Sequence, residues 1–217
     1  MFDFRELVTC RQPSLLVRCA RLGLGTLSLP YRLAAGAKNW IYDLGLKTPF
    51  RSALPVISVG NLSVGGTGKS PVVLWLAKWF RSHGAVDACG GSIRVAILSR
   101  GYGQLDHGQN DEALEMEILL PDVPHLQHWD RVASAKLAEE ELDMQVIVLD
   151  DGFQHRRMAR DLDIVLLDAS DPPAARRVLP GGLLRESIAN LKRAEVAATR
   201  GGDLFRERFC GGLSPFD

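Results

Sequence analysis

The stretch Ser63 to Pro71, SVGGTGKSP, follows an apolar run, PVISVGNL, and sets three glycines and a Gly-Lys-Ser step close together. Residues of these types at this spacing can hold a phosphate. Backbone N–H groups converge on an anion at a helix N-terminus, where the helix dipole favours negative charge. Gly65, Gly66 and Gly68 let the chain wrap closely because no Cβ intervenes. Lys69 then reaches terminal phosphates, and the Ser70 hydroxyl is placed to ligate Mg2+. The usual pattern, G-x-x-x-x-G-K-[ST], has glycine where this chain has Ser63, and a small residue can open that turn if its φ is negative. Pro71 falls in the first helical turn, where its missing N–H has no intrahelical partner. A glycine-rich turn without a ligand is the competing reading. The strand-like run before it and the apolar run after it favour phosphate binding.

Three further groups could complete such a site. Leu149-Asp150-Asp151-Gly152-Phe153-Gln154-His155 closes a strongly apolar run. An acid at a strand end facing a phosphate loop holds Mg2+ directly or through water. Adjacent carboxylates repel unless a cation or donors offset them, so one of Asp150 and Asp151 faces the metal while the other caps a turn. Residue types alone leave that choice open, and a polar turn without a metal is the alternative. Ser99-Arg100-Gly101-Tyr102-Gly103 precedes Asp111-Glu112. Arg100 can clamp a phosphate and Asp111 can act as a base toward an attacking hydroxyl, although Gly-Tyr-Gly turns also arise for structural reasons. Finally, Leu179-Pro180-Gly181-Gly182-Leu183-Leu184-Arg185-Glu186 puts Arg185 on a loop after a strand, where an ordinary connection is the plainer reading.

The elements that must position these groups are legible as short β-rich runs at Val56–Val59, Arg94–Leu98, Val146–Leu149 and Ile164–Leu167, with a weaker one at Glu195–Thr199. They are nearly continuous in Val, Ile and Leu, as strands buried on both faces of a parallel sheet are. Helical stretches fall between them at about Lys69–His83, Asp130–Glu141 and Ser187–Arg193. Strand-helix alternation of this kind gives an α/β fold, a mostly parallel sheet with helices on both faces and right-handed crossovers. Ligands in such sheets bind beyond the carboxyl ends of the strands, where every candidate group sits.

The 217 residues suffice for one well-buried domain with a small appendage. Zero formal net charge gives no global argument for a nucleic-acid partner. Cys10, Cys19, Cys89 and Cys210 are scattered without a C-x-x-C pair, which suits reduced thiols better than a disulfide framework. The first fifty residues differ from the rest. Arg5, Arg11, Arg18, Arg21, Arg32, Lys38 and Lys47 face only Asp3, Glu6 and Asp43, with leucines and aromatics between them. No uncharged run approaches the ~20 residues of a membrane span, and Arg18 and Arg21 would interrupt a signal-peptide core. Two readings stand side by side: a basic amphipathic segment lying on an anionic membrane surface, or a helical hairpin packed on the domain with its arginines solvated.

Taken together, PVISVGNLSVGGTGKSP, ILSRGYG, the Asp130-Arg131 pair, VIVLDDGFQHRRMARDLDIVLLD and LPGGLLRE resemble the tetraacyldisaccharide 4′-kinases of lipid A biosynthesis. Asn39-Trp40-Ile41-Tyr42-Asp43 sits where that family has a similar segment before the first strand. The resemblance implies a P-loop NTPase-like kinase domain over residues 51–200, an N-terminal amphipathic helical segment over 1–50 in contact with a membrane, and a divergent tail over 201–217. It implies transfer of the γ-phosphate of ATP, with Mg2+, to the 4′-hydroxyl of an acylated glucosamine disaccharide 1-phosphate. The work would be done peripherally, at the cytoplasmic face of the bacterial inner membrane.

Carried over by motif, Ser63, Val64, Gly65, Gly66, Thr67, Gly68, Lys69 and Ser70 bind the ATP phosphates. Ser70, Asp150 and Asp151 are the metal-side residues; Asp111 is the base, and Lys69 and Arg185, with Arg100 and Arg131, stabilise phosphate charge. Two departures stand out. The family's Gly-Asp-Glu-Pro motif reads Asn110-Asp111-Glu112-Ala113 here, and GGDLFRERFCGGLSPFD does not look like the family's continuation into a second lobe. A truncated, catalytically impaired nucleotide-binding module is therefore the second expectation, and another P-loop enzyme, a small-molecule kinase or an ATPase, the third.

Overall fold

A computed structural model describes residues 7–8, 14–65, 67–83, 92–101, 111–168 and 177–200. In chain order the elements are α1 (Leu15–Asp43), β1 (Val56–Asn61), α2 (Lys69–His83), β2 (Val95–Ser99), α3 (Asp111–Leu119), β3 (His125–Gln127), α4 (Arg131–Glu140), β4 (Val146–Asp150), β5 (Leu162–Asp168), a 3-10 helix (Ile188–Arg193) and β6 (Val196–Arg200). The strands form one six-stranded parallel sheet in the order β3-β2-β4-β1-β5-β6. All five apolar runs become strands, and Pro71 lies in the first turn of α2.

Every residue of β1, and all but the last of β2 and β4, is buried. Successive side chains of a strand point to opposite faces, so unbroken burial requires cover on both. The sequence reading missed α3 and β3. β3 has three half-buried residues, too few to show a period. α3 does carry a signal, since Ala113, Met116 and Leu120 are buried at i, i+3 and i+7.

The chain divides into two compact units, Met1–Lys47 with Asn61–Thr67 and Val165–Asp217, and Thr48–Gly60 with Gly68–Ile164. The second holds a core of Val56, Ala96, Leu98, Ile147, Leu149 and Met158 against Ala135 and Ala138 of α4. The small α4 residues let that helix approach the sheet closely. Asp130 starts α4 as its N-cap, accepting from the Val132 N–H at 3.1 Å.

The first unit is organised around α1, one continuous helix of 29 residues rather than a hairpin over this span. Its docked face mixes polar groups with half-buried Val17, Leu24 and Tyr42. Ser28 Oγ lies 3.0 Å from the Val178 carbonyl and accepts from the Gly181 N–H at 2.8 Å. Tyr31 donates to the Arg185 carbonyl at 3.0 Å, and Asn39 is buried. The most exposed apolar residues lie on the other side. Leu15, Leu22, Leu29, Leu33 and Trp40 are 58–79% exposed and recur at i, i+7, i+14, i+18 and i+25, one stripe at 3.6 residues per turn. Leu16, Leu27 and Ile41, also exposed, widen that stripe into an arc, and Arg18, Arg21, Arg32 and Lys38 fall outside it. A helix of an ordinary globular protein shows the opposite arrangement. Among the described residues no helix is long and apolar enough to cross a membrane.

Candidate functional site

In the second unit, the carboxyl ends of β1 and β4 lie side by side, with Val59 level with Asp150. The turn that follows β4 folds back onto β1. A Cβ at Gly60 would sit 2.5 Å from Phe153 Cβ and 2.9 Å from its N, and one at Gly152 would sit 2.5 Å from Ser58 Oγ. Both glycines are therefore demanded by close approach. Gly152 N–H donates to the Val59 carbonyl at 3.3 Å, and Asp151 takes a left-handed φ of 52°, which Asp tolerates better than most residues.

Two arginines hold this turn from below. Arg131, 5% exposed, donates to the carbonyls of Asp150 at 2.8 Å and Asp151 at 3.2 Å. Arg160 donates to the His155 carbonyl at 3.1 Å and pairs with buried Asp163 at 2.9 Å. With the turn so fixed, Lys69 Nζ, on the first residue of α2, stands 3.6 Å from Asp151 Oδ1, both side chains largely shielded. The lysine of the glycine-rich loop and a carboxylate of the DDGFQH run, distant in sequence, thus occupy one place. Gly68, just before α2, has a φ of 79°. At the adjoining α4 N-terminus, burial pushes the Asp130 carboxyl up, but the Val132 and Ala133 N–H groups and the Arg157 charge together hold it below its ordinary range.

In the first unit, Ser63 is buried and bridges Leu184. Val64 N–H donates to the Leu183 carbonyl at 2.8 Å, and Arg185 N–H to the Leu62 carbonyl at 2.7 Å. Ser63 therefore opens the turn as a small residue pinned by the LLRE segment. Gly65 has a φ of 127°, open to glycine alone, and its carbonyl accepts from Asn61 Nδ2 at 3.4 Å. Thr67 is 5% exposed, and its hydroxyl has no hydrogen-bond partner among the described residues. A buried hydroxyl left unmatched is costly, and a phosphate oxygen would satisfy it.

Other expected residues divide clearly. Asp111 is the first residue of α3; its side chain, Gly66 and residues 102–110 lie outside the described residues. Arg100 is exposed beside Gly101, whose φ is 64°. Arg131 is turned inward onto carbonyls, so it shapes the acidic turn. Sequence reasoning missed Arg160 as a support of the acidic turn.

Among the described residues no group of three or more His, Cys, Asp or Glu could hold a metal unaided. Mg2+ commonly takes one or two carboxylates together with phosphate oxygens and water. Asp150, Asp151 and the Ser70 hydroxyl supply the matching hard oxygens, so the donor set suits Mg2+ arriving with a nucleotide.

The family model described as tetraacyldisaccharide-1-P 4′-kinase matches residues 20–209. The chain belongs to this kinase family. A tetraacyldisaccharide 4′-kinase of Chlorobium phaeovibrioides is 40% identical over 192 residues, covering 80% of this chain and 52% of the relative. One from Geobacter metallireducens is 40% identical over 190 residues, covering 80% and 54%. The crystal structure of LpxK from Aquifex aeolicus in complex with ATP superposes with a TM-score of 0.74 at 35% identity, over 89% of this chain and 62% of that one. The chain thus spans about half the length of the curated relatives it matches, and the P-loop kinase fold is shared with the ATP-bound relative.

Proposed function

We propose that this chain binds ATP with Mg2+ and transfers the γ-phosphate to the 4′-hydroxyl of an acylated glucosamine disaccharide 1-phosphate. It would do so at the cytoplasmic face of the bacterial inner membrane, where ATP is supplied. The observation that carries the reading is the 3.6 Å approach of Lys69 Nζ to Asp151 Oδ1 at the N-terminus of α2. A cation and a carboxylate meet there at a helix N-terminus, as phosphoryl transfer requires. The ATP-bound relative and the names of the curated relatives point the same way.

Each residue has a part that follows from its chemistry. Ser63 to Ser70 would wrap the phosphates, and Ser70 with Asp150 or Asp151 would hold Mg2+, which would supply positive charge for the phosphate oxygens. Asp111 takes the proton of the 4′-hydroxyl as its oxygen bonds to the γ-phosphorus and the bond to the β–γ bridging oxygen breaks. Lys69 and Arg185 offset the negative charge that gathers on the oxygens.

The lipid side rests on α1. Its exposed face is an uncharged apolar arc edged by Arg18, Arg32 and Lys38, which suits a helix lying in a bilayer surface with its basic residues at anionic headgroups. A pocket of about 420 Å3 under α1 includes Ser28, Leu29, Arg32, Arg177 and Ile188. Neither the Arg32 nor the Arg177 guanidinium has a partner among the described residues, which suits a phosphate on an acylated molecule.

Purified chain, with ATP, Mg2+ and the disaccharide 1-phosphate in mixed vesicles, tests the proposal. The expected outcome is transfer of label from γ-labelled ATP, lost in Lys69→Ala, and lost with ATP binding retained in Asp111→Ala. ATP binding without turnover in the unaltered chain would reduce the reading to a nucleotide-binding module. Absence of ATP binding would overturn it.

A further inference from the structure

The proposed transfer chemistry does not call on Glu186, yet it is only 4% exposed and densely engaged. Its Oε2 accepts from Asn39 Nδ2 at 2.9 Å and from Asn190 Nδ2 at 2.7 Å. Arg193 Nη2 reaches Oε1 at 2.8 Å and Oε2 at 2.9 Å, and Arg193 Nη1 approaches Asn39 Oδ1 at 3.5 Å. The result is a closed polar ring joining α1, the LLRE turn and the 3-10 helix, all within the first unit. A buried ion pair of this kind seldom adds stability over apolar packing of the same volume. Its value here is better sought in what it fixes.

What it fixes is the residue beside it. The Arg185 N–H is held by the Leu62 carbonyl and the Arg185 carbonyl by Tyr31 of α1. Leu183 and Leu184 are in turn bonded or bridged to Val64 and Ser63. Leu183 to Glu186 is therefore a short splint, tied on one side to the entry of the phosphate loop and on the other to α1. From that splint the Glu186 side chain closes a ring with α1 and the 3-10 helix.

We propose that Glu186 is a positioning residue. Through Asn39 and Arg193 it sets the backbone of the LLRE turn, and so the direction of Arg185 and the seat of Ser63 to Thr67. The apolar-faced helix α1 is thereby a strut of the nucleotide site. The inference rests on the reading of the loop and Arg185 as nucleotide-binding, and the experiment separates the two.

Binding of a non-hydrolysable ATP analogue with Mg2+ is measured by calorimetry on the full chain, below the melting temperature of every variant. Glu186→Gln keeps the shape and one acceptor but loses the charge; it should weaken binding about tenfold, as should Asn39→Ala. Glu186→Asp should recover part of the loss. Arg185→Ala should weaken binding alone yet add little on top of Glu186→Gln, because a misdirected arginine has little left to lose. Glu186→Gln that melts earlier but binds normally would mean that the ring only glues α1 in place, and would overturn the proposal. Fully additive losses in the Arg185 and Glu186 cycle would overturn it too. If Arg185→Ala binds normally while Lys69→Ala does not, the positioning proposal falls and the ATP site stands. If Lys69→Ala also binds normally, both fall.

Discussion

Gly60 is the residue on which the acidic turn closes, and replacing it by Ala isolates the cost of that closeness. The added Cβ would meet Phe153 Cβ at 2.5 Å and the Phe153 backbone N at 2.9 Å. Neither atom is the far end of a flexible side chain, and Phe153 is fully buried, so the backbone itself must shift. Forced overpacking of this kind costs about 1–3 kcal/mol. For a chain of this size each kcal/mol lowers the melting temperature by about 2–4 °C, so Gly60→Ala should melt about 2–12 °C earlier. Because the displaced backbone carries Asp151, nucleotide binding should weaken as well. Gly36→Ala is the matched control: it adds the same methyl to α1, where nothing lies within 4 Å. An unstrained Gly→Ala change inside a helix stabilises by about 0.5–1 kcal/mol, so this variant should melt slightly later. Differential scanning fluorimetry on both variants, repeated with Mg2+ and nucleotide, reads the two effects. A Gly60→Ala protein that melts and binds like the parent would refute the close approach of the turn to β1.

Three further outcomes follow. Burial lowers the His125 imidazole below its ordinary 6.5, against a smaller upward pull from Glu117. The native state therefore binds fewer protons than the unfolded one; the contribution is whole above 6.5 and declines as pH falls below it. His125→Gln should narrow the difference in melting temperature between about pH 7.5 and pH 5.5, and an unchanged difference would count against the assignment. Arg160→Ala leaves buried Asp163 without the Arg160 charge and should cost about 3–5 kcal/mol in urea unfolding, with Arg160→Ala/Asp163→Ala costing clearly less than the sum of the two single variants. Replacing both Leu22 and Leu33 of α1 by Gln should cut partitioning onto vesicles containing phosphatidylglycerol more than tenfold, since each apolar side chain buried contributes about 1.5–3 kcal/mol. Flotation with unchanged partitioning would remove the membrane from the account of that arc.

The sequence by itself determined what is local. Continuous Val, Ile and Leu runs gave strands that cannot face water. The Gly65–Gly68 spacing before Lys69 gave a turn entering a helix, and Pro71 was compatible with its first turn. The order of these pieces was enough to place the chain in its family. The tertiary structure decided what depends on partners far apart in the chain. That α1 docks the face carrying Ser28 and Asn39 and exposes its leucine arc follows from bonds to residues about 150 positions away, such as Ser28 to Val178 and Asn39 to Glu186. The same holds for Arg131, expected from its motif to stabilise phosphate charge and found donating to the carbonyls of Asp150 and Asp151. An arginine's chemistry is the same in either role. Only the acceptors that surround it decide which one it plays, and those are set by the folded chain.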